Sequence, residues 1–276
     1  MSSTPTESGL AEIGDARIYY EPTGAGQPLV MIHAGVADSR QWSNEFVTFS
    51  KDFRVLRYDL RGYGRSEPVE GDFTHLQDLT ALLDSLDLRQ PTVVIGCSIG
   101  GELAMDFALT QAPRAQALII VSSGPSGLEL DVPTPAIFGE AEKAYNTGDL
   151  DRVAEIETRI WFDGMDRSPE QVNQQMRRLA YEMNRNALSL DAKRLGKRLP
   201  NAQIPAAERL AELEIPVLVV VGAQDIPYIL AAADHMVANI RSARKVILQD
   251  AAHLCNLDQP DAFQRNVREF LEALAQ

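Results

Sequence analysis

Four short apolar, branched runs recur along the first half of the chain: PLVMIH (28–33), FRVLRYD (53–59), PTVVIGC (91–97) and AQALIIVSS (115–123). A strand that is apolar at successive rather than alternate positions has both of its faces covered, which is the condition of parallel strands flanked by helices. The stretches between them, roughly 39–50, 76–86 and 99–112, carry helical periodicity and are long enough for crossovers. This rhythm predicts a mostly parallel sheet with helices on both faces.

Ahead of it, LAEIGDARIYYEPTG (10–24) alternates apolar and polar residues around Gly14-Asp15, a hairpin signal, with a Pro/Gly-rich turn over 22–26. Beyond Gly127 the strand pattern stops. Residues 128–210 are polar-rich and helix-periodic, with Pro133, Pro135, Pro169 and Pro205 as punctuation. The strand rhythm returns with IPVLVVVG (215–222), a helix over 228–239, ARKVILQD (243–250) and a terminal helix from Pro260. The expected organisation is one α/β core, residues 1–127 and 211–276, interrupted by a helical cap over 128–210. A length of 276 residues fits that plan, because α/β domains often run past 200 residues as one unit.

The strongest chemical signal is Gly96-Cys97-Ser98-Ile99-Gly100, a G-x-S-x-G placed where a buried strand gives way to a helix. Glycines on both sides permit a tight turn that lifts the serine hydroxyl above the sheet at a helix N-terminus. A serine nucleophile needs a base, and the base needs an anion to fix its tautomer. Of the four histidines, His75 and His235 fall in helical stretches among polar neighbours and are expected at the surface. His33 ends the first core strand and is expected to shape that turn. His253 follows the last strand in a loop and is the candidate base. Asp225, in the loop after the penultimate strand, is the candidate acid, ahead of Asp250 and Asp131. Acyl transfer also needs two N–H donors for the oxyanion; Ile99 and Gly35 are the candidates.

These pieces carry a resemblance. His33-Ala34-Gly35 with Trp42, the run Asp59 to Ser66, the elbow at Ser98, Gly222 to Asp225 and His253 together resemble the α/β-hydrolase superfamily over nearly the whole chain. The resemblance implies an eight-stranded, mostly parallel sheet. It is greatest to small bacterial esterases, enol-lactone hydrolases and cofactor-free perhydrolases. Ala34 stands where the family usually has a second glycine. A serine at the elbow argues against the dehalogenase and epoxide-hydrolase branches, which use aspartate there. The two arginines of Asp59 to Ser66 are expected in internal pairs.

The reading is a serine hydrolase without a cofactor or metal, acting on a small carboxylic ester or lactone through an acyl-enzyme. Two rivals stand beside it: the same triad cleaving a carbon–carbon bond or acting as a perhydrolase, and a hydrolase fold serving as a small-molecule receptor. Val36, Phe138, Trp161, Phe162 and Met165, with Tyr181 and Met183, are candidate pocket residues. Arg159, Arg177, Arg178 and Arg185 raise an acidic substrate as an alternative to a solvated helix face. Lys and Arg number 26 against 39 Asp and Glu, a net charge of −13 that opposes binding to nucleic acid or an anionic membrane. The opening MSSTPTESGLAEIGD lacks the basic and apolar regions of a secretory signal, and a cytoplasmic location is expected. Cys97 and Cys255 are expected as free thiols.

Overall fold

The computed structural model describes residues 7–67, 70–193 and 196–274. The first six residues of the opening segment, two positions of the expected cap (194–195) and the last two residues lie outside them. Eight strands form one sheet: β1 (Gly9–Ile13), β2 (Ala16–Thr23), β3 (Pro28–Ile32), β4 (Arg54–Tyr58), β5 (Thr92–Cys97), β6 (Ala115–Val121), β7 (Val217–Gly222) and β8 (Ala243–Leu248). Their order is β1-β2-β4-β3-β5-β6-β7-β8. The pairs β1–β2 and β2–β4 are antiparallel, and every later pair is parallel.

The hairpin forms at Gly14, whose φ of 60° suits a glycine, and pairs Ile13 with Ala16. The turn expected from residue 22 begins later, because Pro22 and Thr23 continue β2 against Leu56 and Val55 of β4. The β1 partnership ends at Tyr20, so the missing N–H of Pro22 falls where β2 has a neighbour on one side only.

Continuous burial of the core strands divides by residue parity. Val30 and Ile32 of β3 pack with α2 (His75–Ser85), α3 (Ile99–Thr110) and α7 (Pro227–Asn239) on one face. Leu29 and Met31 pack with α1 (Ser43–Phe49) and α9 (Pro260–Leu274) on the other. The helix expected over 39–50 divides in two. Asp38 accepts the Arg40 N–H at 3.0 Å and starts a tight turn, Ser39–Trp42, before α1 begins. Between β6 and β7 lie α4 (Ile137–Asn146), α5 (Leu150–Thr158) and α6 (Gln174–Asp191), with no strand among the described residues. Their apolar sides join both clusters, Val153 and Ile156 on one and Ala180 and Met183 on the other. No helix among the described residues is long and apolar enough to cross a membrane.

One buried polar network ties distant parts of this frame together. The Asn256 side chain, in the one-turn helix α8 (Cys255–Asp258), donates to Glu45 of α1 at 3.1 Å and to the Gln41 carbonyl at 2.9 Å. Gln264 of α9 donates to the other Glu45 oxygen at 3.1 Å. Gln41 in turn accepts the Ala34 N–H at 2.9 Å, so the loop after β3 is held to the segment that follows His253.

Burial pushes the Glu45 carboxyl up from 4.5 to about 7, against the hydrogen bonds from Gln264 and Asn256. The folded protein therefore keeps this proton to higher pH than the unfolded chain does, and this group's contribution to stability falls as pH rises between about 4.5 and 7. The full difference is about 3 kcal/mol. Glu45→Gln, which cannot ionise, is expected to gain stability relative to wild type between pH 5 and pH 8. Denaturant unfolding of both proteins at the two pH values measures it; a pH-independent difference would contradict a buried, titrating Glu45.

Candidate active site

Ser98 sits at φ 54°, ψ −119°, a conformation that costs a non-glycine residue of order 1–3 kcal/mol and persists only where the surroundings enforce it. Here they do. Its N–H donates to Val121 O at 3.0 Å, extending the β5–β6 ladder, and its carbonyl accepts the Ser123 hydroxyl at 2.6 Å and the Glu102 N–H at 3.0 Å. The flanking glycines let the backbones close in. A Cβ on Gly96 would overlap the Gly100 carbonyl, and one on Gly100 would overlap the Ile32 carbonyl. Cys97 points the opposite way: it is fully buried, its Sγ 4.0 Å from the His253 carbonyl oxygen, and burial pushes its thiol up to about 12.

The loops after β7 and β8 are zipped together by Ala223 N–H to Leu248 O and Gln224 N–H to Ala251 O, both 2.9 Å. That pairing places Asp225 beside His253. The His253 Nδ1 lies 2.9 Å and 3.1 Å from the two Asp225 carboxylate oxygens, and the Ile226 N–H donates to Asp225 Oδ1 at 2.8 Å. Both side chains are buried. With Nδ1 donating to the carboxylate, Nε2 is the ring atom left to accept a proton. Asp250 and Asp131, the rival acids, are both exposed.

Gly35 and Ile99 are neighbours in space: a Cβ on Gly35 would lie 3.4 Å from Ile99 Cδ1. Ile99 opens α3, so its N–H has no intrahelical acceptor. His33 is fully buried, its Nδ1 2.7 Å from Ala34 O and its Nε2 accepting the Leu60 N–H at 2.9 Å. Burial holds it below the ordinary histidine range, so it shapes the turn as a neutral ring. The run Asp59 to Ser66 is also internal. Arg61 pairs with Asp78 at 2.6 Å and Asp15 at 2.7 Å, and Arg65 lies over the Tyr19 ring and 3.3 Å from Glu21.

The surface expectation fails for His75, which is buried; His235 is half-buried. At His75 the returning chain is the cause: Phe73 N–H donates to Lys197 O and Leu199 N–H to Phe73 O. This closes the start of α2 and packs His75 against the Phe73 and Tyr63 rings.

One feature was not visible in the sequence. After α5 the chain widens into a turn of i→i+5 hydrogen bonding over Arg159–Asp163, closed by Gly164 N–H to Arg159 O at 2.9 Å. Gly164, at φ 81°, approaches so closely that a Cβ there would lie 2.9 Å from Gln224 and 3.3 Å from Ala252. The turn also sets Trp161 against His253, ring centroids 4.5 Å apart, and its carbonyl accepts the Leu254 N–H at 3.0 Å. Arg167 fastens it by donating to Asp163 O at 2.6 Å, Asp250 O at 2.8 Å and the buried Asp258 carboxylate at 2.5 Å. The helices between β6 and β7 are thus joined directly to the loops bearing Asp225 and His253.

Of the pocket candidates, Val36 lines a cavity of about 130 Å³ beside Gly35, and Val36, Trp161 and Phe162 line a narrow cleft with Leu254. Phe138 packs edge-on against Trp161 at 5.6 Å. Phe162 and Met183 are fully buried in the core, Tyr181 is half-buried, and Met165 is 40% exposed and lines neither space. The cap arginines are paired or outward: Arg177 binds Asp163 and Glu155, Arg185 binds Asp151, and Arg159 and Arg178 are exposed. Among the described residues no cluster of three or more His, Cys, Asp or Glu is arranged to hold a metal ion.

This arrangement has many counterparts. A 2-hydroxy-6-oxononadienedioate/2-hydroxy-6-oxononatrienedioate hydrolase of Paraburkholderia xenovorans is 25% identical over 272 residues, covering 94% of this chain and 91% of that protein. A 3-oxoadipate enol-lactonase of Acinetobacter baylyi is 25% identical over 241 residues, 86% of this chain and 85% of that protein. A Rhodococcus esterase of known structure superposes with a TM-score of 0.77 at 21% identity, covering 97% of this chain and 99% of that one. The family described as alpha/beta hydrolase fold matches residues 27–260, and with its sheet order and strained serine turn the chain belongs to that family.

Proposed function

We propose that this protein hydrolyses a small carboxylic ester or lactone through an acyl-enzyme, with Ser98 as nucleophile, His253 as base and Asp225 as the orienting acid. The observation that carries the reading is the buried Asp225–His253 pair, 2.9 Å apart, in a loop whose carbonyl lies against the strand that ends at the strained Ser98. His253 Nε2 takes the Ser98 proton as Oγ attacks the carbonyl carbon. The oxyanion is held by the Ile99 and Gly35 amides. Nε2 then returns the proton to the leaving alcohol, and water repeats the cycle on the acyl-enzyme. Asp225 keeps Nδ1 protonated and stabilises the imidazolium.

Carbon–carbon bond hydrolysis by the same residues is the second reading, favoured by the similarity to the dienedioate hydrolase. Comparing turnover of a vinylogous diketone with that of a simple aryl ester separates the two. Residues 128–210 act in this proposal as a lid whose i→i+5 turn supplies one wall of the site through Trp161.

Ser98→Ala is expected to abolish ester turnover with the fold retained, leaving at most the roughly 10³–10⁴-fold acceleration over water that binding and the oxyanion donors provide. Cys97→Ala should keep most activity. Wild-type turnover by pure Ser98→Ala protein would end the hypothesis.

Asp225→Asn is expected to lower kcat by about 10⁴, because the amide favours the wrong histidine tautomer. Asp250→Asn should do far less. Steady-state rates of the two variants on one aryl ester decide the matter, and an exchange of their effects would move the acid to Asp250.

Trp161→Ala should change the preference among acyl lengths, by about 1–3 kcal/mol for each misfitted methylene, while an acetate ester keeps nearly its original kcat. If Trp161 only packs the lid, the variant instead loses stability and all substrates slow in parallel. Thermal midpoint and acyl-length profile on one preparation distinguish these outcomes.

A further inference from the structure

Arg167 follows Gly164 by three residues, and its guanidinium presents five N–H groups in a rigid planar fork. The structure gives each of them an acceptor. Two are carbonyls of the i→i+5 turn itself: Nη2 donates to Phe162 O at 2.9 Å and Nε to Asp163 O at 2.6 Å. The others belong to the chain around His253. Nη1 donates to Asp250 O at 2.8 Å and Asp258 Oδ1 at 3.3 Å, and Nη2 to Asp258 Oδ2 at 2.5 Å. One side chain thus grips both the helical insertion and the segment that carries the candidate base.

Its bonds govern the backbone on either side of His253. Before the histidine, the Ala252 N–H donates at 3.1 Å to the same Asp258 Oδ2 that Arg167 holds. After it, the Leu254 N–H donates at 3.0 Å to Trp161 O, in the turn that Arg167 fixes through Phe162 and Asp163. The Asp258 side chain is buried. Without the guanidinium it becomes an uncompensated buried charge that must turn toward water, letting go of Ala252. The ring between these two bonds has little slack, because its Nδ1 meets both Asp225 oxygens, at 2.9 Å and 3.1 Å.

We propose that Arg167, acting through Asp258 and the Trp161 carbonyl, is a positioning residue for His253, so that docking of the helical insertion sets the geometry of the base. The proposal rests on the ester-hydrolase reading and extends it. A displacement of about 1 Å at a reacting group costs roughly 10² in rate. Because Arg167 acts through the histidine, its loss falls on kcat whatever the acyl group, unlike the change of acyl-length preference expected of Trp161.

Two readouts on the full chain test this: steady-state hydrolysis of phenyl acetate, and the proton NMR resonance of the His253 Nδ1–H, which lies far downfield while that proton is held by the Asp225 carboxylate. Arg167→Ala and Arg167→Lys are expected to lower kcat by about 10- to 100-fold with KM changed by no more than about twofold, and to shift or broaden away the resonance. Lysine keeps the charge beside Asp258 but cannot span all the acceptors of the fork. It therefore stands in where Arg167→Ala does not fold, which the thermal midpoint reports. Arg185→Ala removes an ion pair with Asp151 inside the insertion and should leave both readouts as in wild type. A folded Arg167 variant that keeps the wild-type kcat or the wild-type resonance would overturn the proposal, as would an Arg185→Ala protein that loses kcat to the same extent. If wild type turns over no ester, loss of the resonance in the Arg167 variants leaves the positioning role standing while the hydrolase reading falls. Wild-type turnover, with both readouts unmoved in an Arg167 variant, would do the reverse.

Discussion

The close approach of α3 to β3 and β5 is the contact on which the rest of the site depends. Because Gly100 has no Cβ, the first turn of the helix seats against the Ile32 and His33 carbonyls, and because Gly96 has none, β5 can run into that turn without a gap. Ser98 is forced to φ 54° by this packing and kept there by ladder and hydroxyl hydrogen bonds on both its N–H and its carbonyl. The same contact delivers Ile99 to Gly35, so one packing decision fixes the serine and both proposed oxyanion donors. The strain is small beside the burial of the sheet, which makes it tolerable.

Around that contact the structure adds two fasteners of different character. On the core side, Gln41, Glu45 and Asn256 connect the loop after β3 to the segment after His253 through buried hydrogen bonds. Removing one partner of such a network costs more than the network contributes, because the remaining groups are left desolvated. On the side of the helical insertion, Arg167 and Asp258 hold the i→i+5 turn to the His253 loop, with the Asp258 carboxylate also accepting the Ala252 N–H at 3.1 Å. The histidine loop is thus clamped from below by neutral amides and from above by an ion pair. Nothing in this clamping specifies a substrate. The fold alone does not name a substrate either: the proteins this chain resembles include an esterase, an enol-lactonase and a dienedioate hydrolase.

The parallel strands were legible in the sequence because a strand covered on both faces must be nearly continuously apolar, and β3, β5, β6 and β7 are so but for Thr92 at the start of β5 and the half-buried Gln116 of β6. The serine turn was legible for a related reason: only glycine fits where two backbones nearly touch, so the steric demand is written into the residue type. The loop positions of Asp225 and His253 followed from counting strands, since open α/β sheets collect their ligands at the carboxyl edge.

What the sequence could not supply were features made by segments far apart in the chain. His75 is expected at the surface and nothing beside Glu45 in the sequence marks it for burial, yet the chain near residue 197 covers the first and α8 with α9 covers the second. Local periodicity records which side of an element is apolar, so the sequence by itself determined the sheet, the helical insertion and the loops on which Ser98, Asp225 and His253 lie. It does not record which other element arrives on the polar side. Tertiary structure alone decided that Gly164 would bring the helical insertion against the loops of Asp225 and His253, and that Arg177 and Arg185 would pair with acids of the insertion itself while Arg167 reaches Asp258 beyond it.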